Sequence, residues 1–316
     1  MEFTYAHDPQ ANLDVVRGDG LTLTVRRLGA EMIGLTRRHP TRGEFGLIWR
    51  DACVDDPPNF WKGHATVLFP IVGGVHNLRS RTTDGIDVSF KKQHGFARHS
   101  QFELLGHAGD DEHYVLNYHL IAGPETLALY PWRFELWIRY ALYADHLEQQ
   151  MTVRNLDEKP MPFQLGWHPG FNTPQISGEK ASCHLRLPAG ESVQVLNDPD
   201  CYLTGETRRV TLDGDFPFTE KELDGTYMFD LSATPSERRV VELLDPDEST
   251  GVRVEFPDYP HLGIWSDADA PFICIEPWQG MDDSVTQEAF DEKFGVVLLK
   301  PGGERVYHAA IHVLDK

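Results

Sequence analysis

Hydrophobic and polar residues alternate with a period of two over much of this 316-residue chain, the pattern of strands with one buried face. Leu21, Leu23 and Val25 alternate with Thr22, Thr24 and Arg26, and Ile86, Val88 and Phe90 with Asp87 and Ser89. Tyr114, Leu116, Tyr118 and Leu120 share one face of a further segment. Phe134, Leu136, Ile138, Tyr140 and Leu142 form a longer stripe, and Leu147, Met151 and Val153 follow on a partner strand across Ala144-Asp145-His146. Val252, Val254 and Phe256 repeat the pattern, and a last strand runs through Val306, His308, Ala310 and His312.

Turn-rich stretches punctuate these runs. Asn155 to Pro160 joins two strand-like segments, and Asp245 to Gly251 reads as a hairpin tip. Two short segments are expected to be helical, Pro58 to His64 and Ser284 to Phe294; Ser284 with Gln287 forms a weak capping box for the second. Many short strands with few helices predict an all-β fold, a large antiparallel β-sandwich. No internal repeat or linker divides the chain, so residues 1–316 are expected to form one domain, within the size range of β-sandwiches.

Composition narrows the partners. The 49 Asp and Glu against 29 Lys and Arg give a formal net charge of −20, a field that repels nucleic acid and anionic membranes. No apolar run reaches the roughly 18 residues of a membrane helix. The N-terminal stretch is polar and acidic, without the apolar core of a secretory signal. Cys53, Cys183, Cys201 and Cys274 form no CxxC pair, which argues against structural zinc and fits free thiols in a reducing cytoplasm. His308 and His312 are two strand repeats apart, roughly 13 Å, too far to share one ion. His107, His113 and His119 are expected to be solvated.

Three segments carry ionisable groups among Gly, Pro and aromatic residues. In Gln93-His94-Gly95-Phe96-Ala97-Arg98, Gly95 permits close backbone approach, and a loop with a satisfied histidine would serve equally. In Gly166-Trp167-His168-Pro169-Gly170-Phe171-Asn172, the histidine before proline is biased to extended backbone; it is either a buried histidine bonded to backbone or an imidazole tuned for work near pH 7. In Pro271 to Trp278, an apolar strand runs into Glu276. Buried Glu is rare unless paired or functional, and an apolar setting raises its pKa toward that of a general base. Trp278 offers a flat face for the C–H side of a sugar ring.

One carboxylate and one imidazole suit the interconversion of sugar anomers. A base takes the proton of the C1 hydroxyl while an acid protonates the ring oxygen; the C1–C2 bond rotates, and closure returns both protons in swapped roles. No nucleophile, metal or redox cofactor is required, and none is expected. Each positioned acid or base contributes about 10²–10⁴-fold.

At these residues the chain resembles the aldose 1-epimerase (galactose mutarotase-like) family, in particular bacterial members with HGFAR, HP-x-F and C-x-EPW motifs. The matches are His94-Gly95-Phe96-Ala97-Arg98, His168-Pro169-Gly170-Phe171 and Cys274-Ile275-Glu276-Pro277-Trp278, with Phe69-Pro70-Ile71-Val72-Gly73 and Phe60-Trp61 in support. The resemblance implies a β-sandwich with an open sugar cleft, Glu276 as general base and His168 as general acid. It further implies substrate contacts from His94, Arg98, Trp278 and Asp283. Gly74 stands where an arginine is usual, with Arg79 or Arg81 as candidate replacements, and Gly170 stands where an aromatic is usual.

Other functions compete. A hexose-6-phosphate 1-epimerase would use the same pair and add an arginine-built phosphate site. A non-catalytic sugar-binding protein would need Trp278 and His94 but not both His168 and Glu276. A glycoside hydrolase would need two carboxyls about 5–10 Å apart, such as Glu276 with Asp283, leaving His168 idle.

Overall fold

The computed structural model describes residues 2–56, 60–188, 190–197, 200–212, 214–216, 225–267 and 270–316. Three antiparallel sheets dominate. The first has five strands in chain order, Thr4–Asp8, Leu13–Arg17, Leu21–Arg26, Glu31–His39 and Gly43–Gly46. The second has nine strands, in which Tyr114–Ile121, Phe134–Leu142, His146–Asn155, Glu304–Asp315, Thr250–Glu255 and Val240–Leu244 are successive neighbours. The third has seven, in the order Leu203–Leu212, Gly190–Asn197, Gly225–Asp230, His261–Ser266, Phe272–Gln279, Leu165–Asn172 and Ala65–Leu68.

The alternating stripes explain the packing. Leu116 and Tyr118, Leu136 and Ile138, Met151 and Val153, Val252 and Val254, and Tyr307 and Ile311 all point inward from the nine-stranded sheet. Leu165, Trp167, Phe171, Leu262, Ile264, Ile273 and Ile275 meet them from the seven-stranded sheet, and Leu21, Leu23, Val25 and Met32 from the five-stranded one. This single cluster draws on all three sheets, and the architecture is the expected all-β sandwich.

The strand at Phe134–Leu142 pairs with His146–Asn155, and Leu244 pairs with Gly251 across the Asp245 turn, as the pattern predicts. The segment after Asn155 leads to Met161–Phe163, which pairs with Val297–Leu299.

Neither expected helix forms. Of the first, Pro58 and Asn59 lie outside the described residues; Phe60 to His64 runs without helix, and the Trp61 and Lys62 carbonyls accept from the Trp49 indole and the Arg50 guanidinium. The second holds only the 3-10 turn Phe290–Glu292; Val285 N–H donates instead to Leu203 O, which bridges this segment to a strand. The one α-helix among the described residues is Pro124–Leu127, and no helix is long and apolar enough to cross a membrane. His107, His113 and His119 are not simply solvated: the first two stack on Tyr5 and Tyr143, and the third packs at a tilt against Trp137. His308 and His312 pair separately with Asp258 and Glu255.

Candidate active site

The same period of two that fills the core builds the site on the opposite face of the seven-stranded sheet. Trp167 and Phe171 face the core, so His168 and Gly170 face away; Ile273 and Ile275 face the core, so Cys274, Glu276 and Trp278 face away. Register then chooses the partners. Gly166 pairs with Trp278 and Gly170 with Cys274, which sets His168 opposite Glu276. His168 Nε2 lies 3.1 Å from Glu276 Oε2. The two residues are 6 % and 1 % exposed.

A cavity of about 180 Å³ opens above this pair, lined by His94, Arg98, His168, Glu276, Trp278 and Asp282 together with Trp61, Trp265, Gly73, Gln93, Cys201 and Thr226. It is smaller than the roughly 300–1,000 Å³ typical of drug-sized ligands, and suits a small ring molecule.

His94 is held by a reciprocal backbone clamp. Its N–H donates to Gly73 O at 2.7 Å, and Gly73 N–H donates to His94 Nδ1 at 2.9 Å. Nδ1 is therefore the acceptor, and the ring proton sits on Nε2. His94 and Gly95 both have positive φ, 64° and 73°, and a Cβ on Gly95 would stand 2.2 Å from Phe69 O. That close approach is what the glycine in the motif is for. Burial, reinforced by Arg98, pushes the His94 pKa down to about 3. His94 is thus a neutral hydrogen-bond donor.

The central pair carries one proton between its members. Burial lifts the Glu276 carboxyl well above its ordinary value, helped by Asp282 and opposed by Trp278 and Arg98. Burial, with His94 and Arg98, drives the His168 imidazole well below its own. Attraction between a carboxylate and an imidazolium is outweighed here, because two buried charges cost more desolvation than their attraction returns. Glu276 Oε2 and His168 Nδ1 make no hydrogen bond. Aromatic rings fix the imidazole instead: Trp61 stacks on it at 4.6 Å and 27°, and Trp265 meets it edge-on at 5.8 Å.

The departures from the usual motifs have structural consequences. A Cβ on Gly170 would stand 3.0 Å from the Trp61 ring and 3.3 Å from Trp49 Cβ. Gly170 thus makes room for the indole that stacks on His168. Gly74 donates its N–H to Asp282 Oδ1 at 2.7 Å, while a Cβ there would meet nothing nearer than 3.9 Å. Arg79 and Arg81 do not replace the missing arginine. Both are exposed outside the cavity, and Arg81 pairs with Asp87.

Asp283 is not in the cavity. Its carboxylate is fully buried, takes Lys293 Nζ at 2.9 Å and accepts His76 N–H. The neighbour, Asp282, lines the cavity in its place, its pKa raised by burial to about 6. With Asp283 occupied, the pairing of Glu276 and Asp283 for glycoside hydrolysis is lost. Trp278 lines the cavity, but its ring lies over Gly166 and Gly263 on the flanking strands, where a Cβ would come within 2.7 Å. It is more a floor than a free stacking platform. Gln164 has no counterpart in the motifs. It accepts from Val72 N–H and donates to Met281 O and Phe294 O, tying together the loops that carry Gly73 and Asp282.

The family model for aldose 1-epimerase matches residues 17–312. The chain belongs to the aldose 1-epimerase family. It is 32 % identical over 286 residues to the chromosomal LacX protein of Lactococcus lactis subsp. lactis, covering 86 % of this chain and 89 % of that one. A galactose mutarotase related enzyme from Lactobacillus acidophilus shares 27 % identity with a TM-score of 0.84, over 95 % of this chain and 97 % of that one. A galactose mutarotase-like protein from Lactobacillus casei shares the fold with a TM-score of 0.81 at 24 % identity, over 95 % and 99 % of the two chains. Membership in the aldose 1-epimerase family supports an isomerase acting on carbohydrates, with a small sugar as substrate.

Proposed function

We propose that this protein interconverts the α and β anomers of a free aldohexose, with Glu276 as general base and His168 as general acid. The observation that carries the reading is the 3.1 Å approach of His168 Nε2 to Glu276 Oε2 at the cavity floor. The C1 hydroxyl and the ring oxygen are attached to the same carbon, so two groups this close can address both at once.

The proton inventory balances within the pair. Carboxylate with imidazolium, and carboxylic acid with imidazole, differ only by one proton moved between Glu276 and His168. Sugar hydroxyls donating to the Glu276 carboxylate stabilise the first arrangement when a sugar binds. Glu276 then takes the proton of the C1 hydroxyl as His168 protonates the ring oxygen. After rotation about C1–C2, the carboxylic acid and neutral imidazole reverse the step. His94 donates its Nε2 proton to a hydroxyl, and Asp282 accepts from one or two others.

A phosphorylated hexose is the poorer fit. Arg98 is the one permanent cation among the described lining residues, and Asp282 stands where an arginine would be needed. Polarimetry on freshly dissolved α-glucose, α-galactose and their 6-phosphates tests this. Acceleration of a free sugar supports the proposal; saturation by the phosphates alone points to a phosphosugar epimerase, and binding without acceleration to a sugar-binding protein.

A further inference from the structure

Cys274 has no part in proton transfer and does not line the sugar cavity. It nevertheless sits two residues before Glu276 on the same face of the strand, fully buried, opposite the side-chain-free Gly170. One ligand atom from each of His168, Cys274 and Glu276 falls within 4.8 Å of the others. That grouping brings together a nitrogen, a sulfur and an oxygen donor, the mixture found around zinc and its neighbours and unlike the all-oxygen shells of magnesium or calcium. Glu276 Oε2 is buried without a hydrogen bond, as is His168 Nδ1. The cavity lies directly over His168 and Glu276, leaving an open side for a fourth ligand such as water.

We infer that His168, Cys274 and Glu276 form a three-ligand site for a Zn²⁺-class ion that shares its residues with the sugar site. The thiol and the carboxylic acid each surrender a proton as the ion binds, and the imidazole binds neutral, so two protons leave for one divalent cation. Affinity therefore rises with pH. An ion held there occupies the lone pairs that would move protons at C1, so metal and sugar exclude one another; that consequence alone rests on the proposed epimerase reaction.

The test is titration of the full-length protein with Cd²⁺, followed by the ultraviolet thiolate-to-cadmium charge transfer, with Zn²⁺ as competitor. Wild type should gain one saturable band that Zn²⁺ abolishes and that Cys274→Ser lacks. His168→Asn and Glu276→Gln should each weaken it by at least the 10–100-fold that even an outer-shell loss costs. Cys274→Ala serves as a second variant should the serine disturb folding. In the same preparations, Zn²⁺ should slow anomer exchange by wild type and leave Cys274→Ser unaffected. A band unchanged in the cysteine variants, which would place the ion on Cys53, Cys183 or Cys201, or no band at all, overturns the site. A band with the predicted dependence in a protein without anomer exchange would sustain the metal site and overturn the epimerase reading alone.

Discussion

His168 and Glu276 face each other across adjacent antiparallel strands, 3.1 Å apart and almost wholly buried, with burial favouring the neutral form of each. The pair therefore holds one proton between the lowered histidine value and the raised glutamate value. Activity should be flat near pH 7. It should fall on the acid side when His168 accepts a second proton, below the ordinary histidine value, and on the alkaline side when Glu276 loses the last one, well above the ordinary carboxylate value. The dependence of kcat/KM on pH checks this; a single transition centred on an unperturbed histidine would not fit.

Asp282 adds its own signature. Its carboxyl titrates at about 6, and the ionised form is the stronger acceptor for the sugar hydroxyls it is proposed to hold. KM should rise as pH falls through 6, and Asp282→Asn should remove that dependence while raising KM at pH 7 about 10-fold, with a smaller effect on kcat. Steady-state kinetics across pH in both proteins is the check.

The stack of Trp61 on His168 depends on the missing side chain at 170. Gly170→Tyr should drive the indole out and destabilise the protein by about 1–3 kcal/mol. Adding Trp61→Ala to Gly170→Tyr should recover stability, since the new ring fills the vacated space. Denaturant unfolding of the two single variants and the double variant reads the coupling; strict additivity would refute it.

Much of this was legible in the sequence because a two-residue repeat is a geometric statement. It places His168 and Glu276 on the face opposite Trp167 and Ile275 once both segments are strands. Register was not legible, since nothing local says that 168 meets 276. Asp282 and Asp283 are adjacent in a loop, where no periodicity assigns a face; the buried Lys293 captures one and the cavity receives the other. Ser284 to Phe294 carries a capping signal, but its backbone bonds are drawn to Leu203 rather than to its own next turn. Trp61 matched a motif without a role, because its partner, Gly170, matters through an absence.

Stability at low pH should report on Glu31, buried beside the site. Burial alone would raise its carboxyl, but His64 and Arg26 overcome that and hold it at about 2, against an ordinary 4.5. A depressed folded-state value stabilises fully above 4.5 and is lost as pH falls from there toward 2, a contribution on the order of 3 kcal/mol. Glu31→Gln should lower stability at pH 7 by a similar amount and flatten the acid limb. Urea unfolding at pH 7 and in acid measures both.

Magnetisation-exchange NMR on equilibrated glucose and galactose anomers bears most directly on the acid–base pair. Wild type should accelerate exchange of at least one sugar, while Glu276→Gln and His168→Asn, folded as judged by circular dichroism, should each lose at least about 10²-fold. Exchange at the wild-type rate in both variants would contradict the assignment of proton transfer to these two residues.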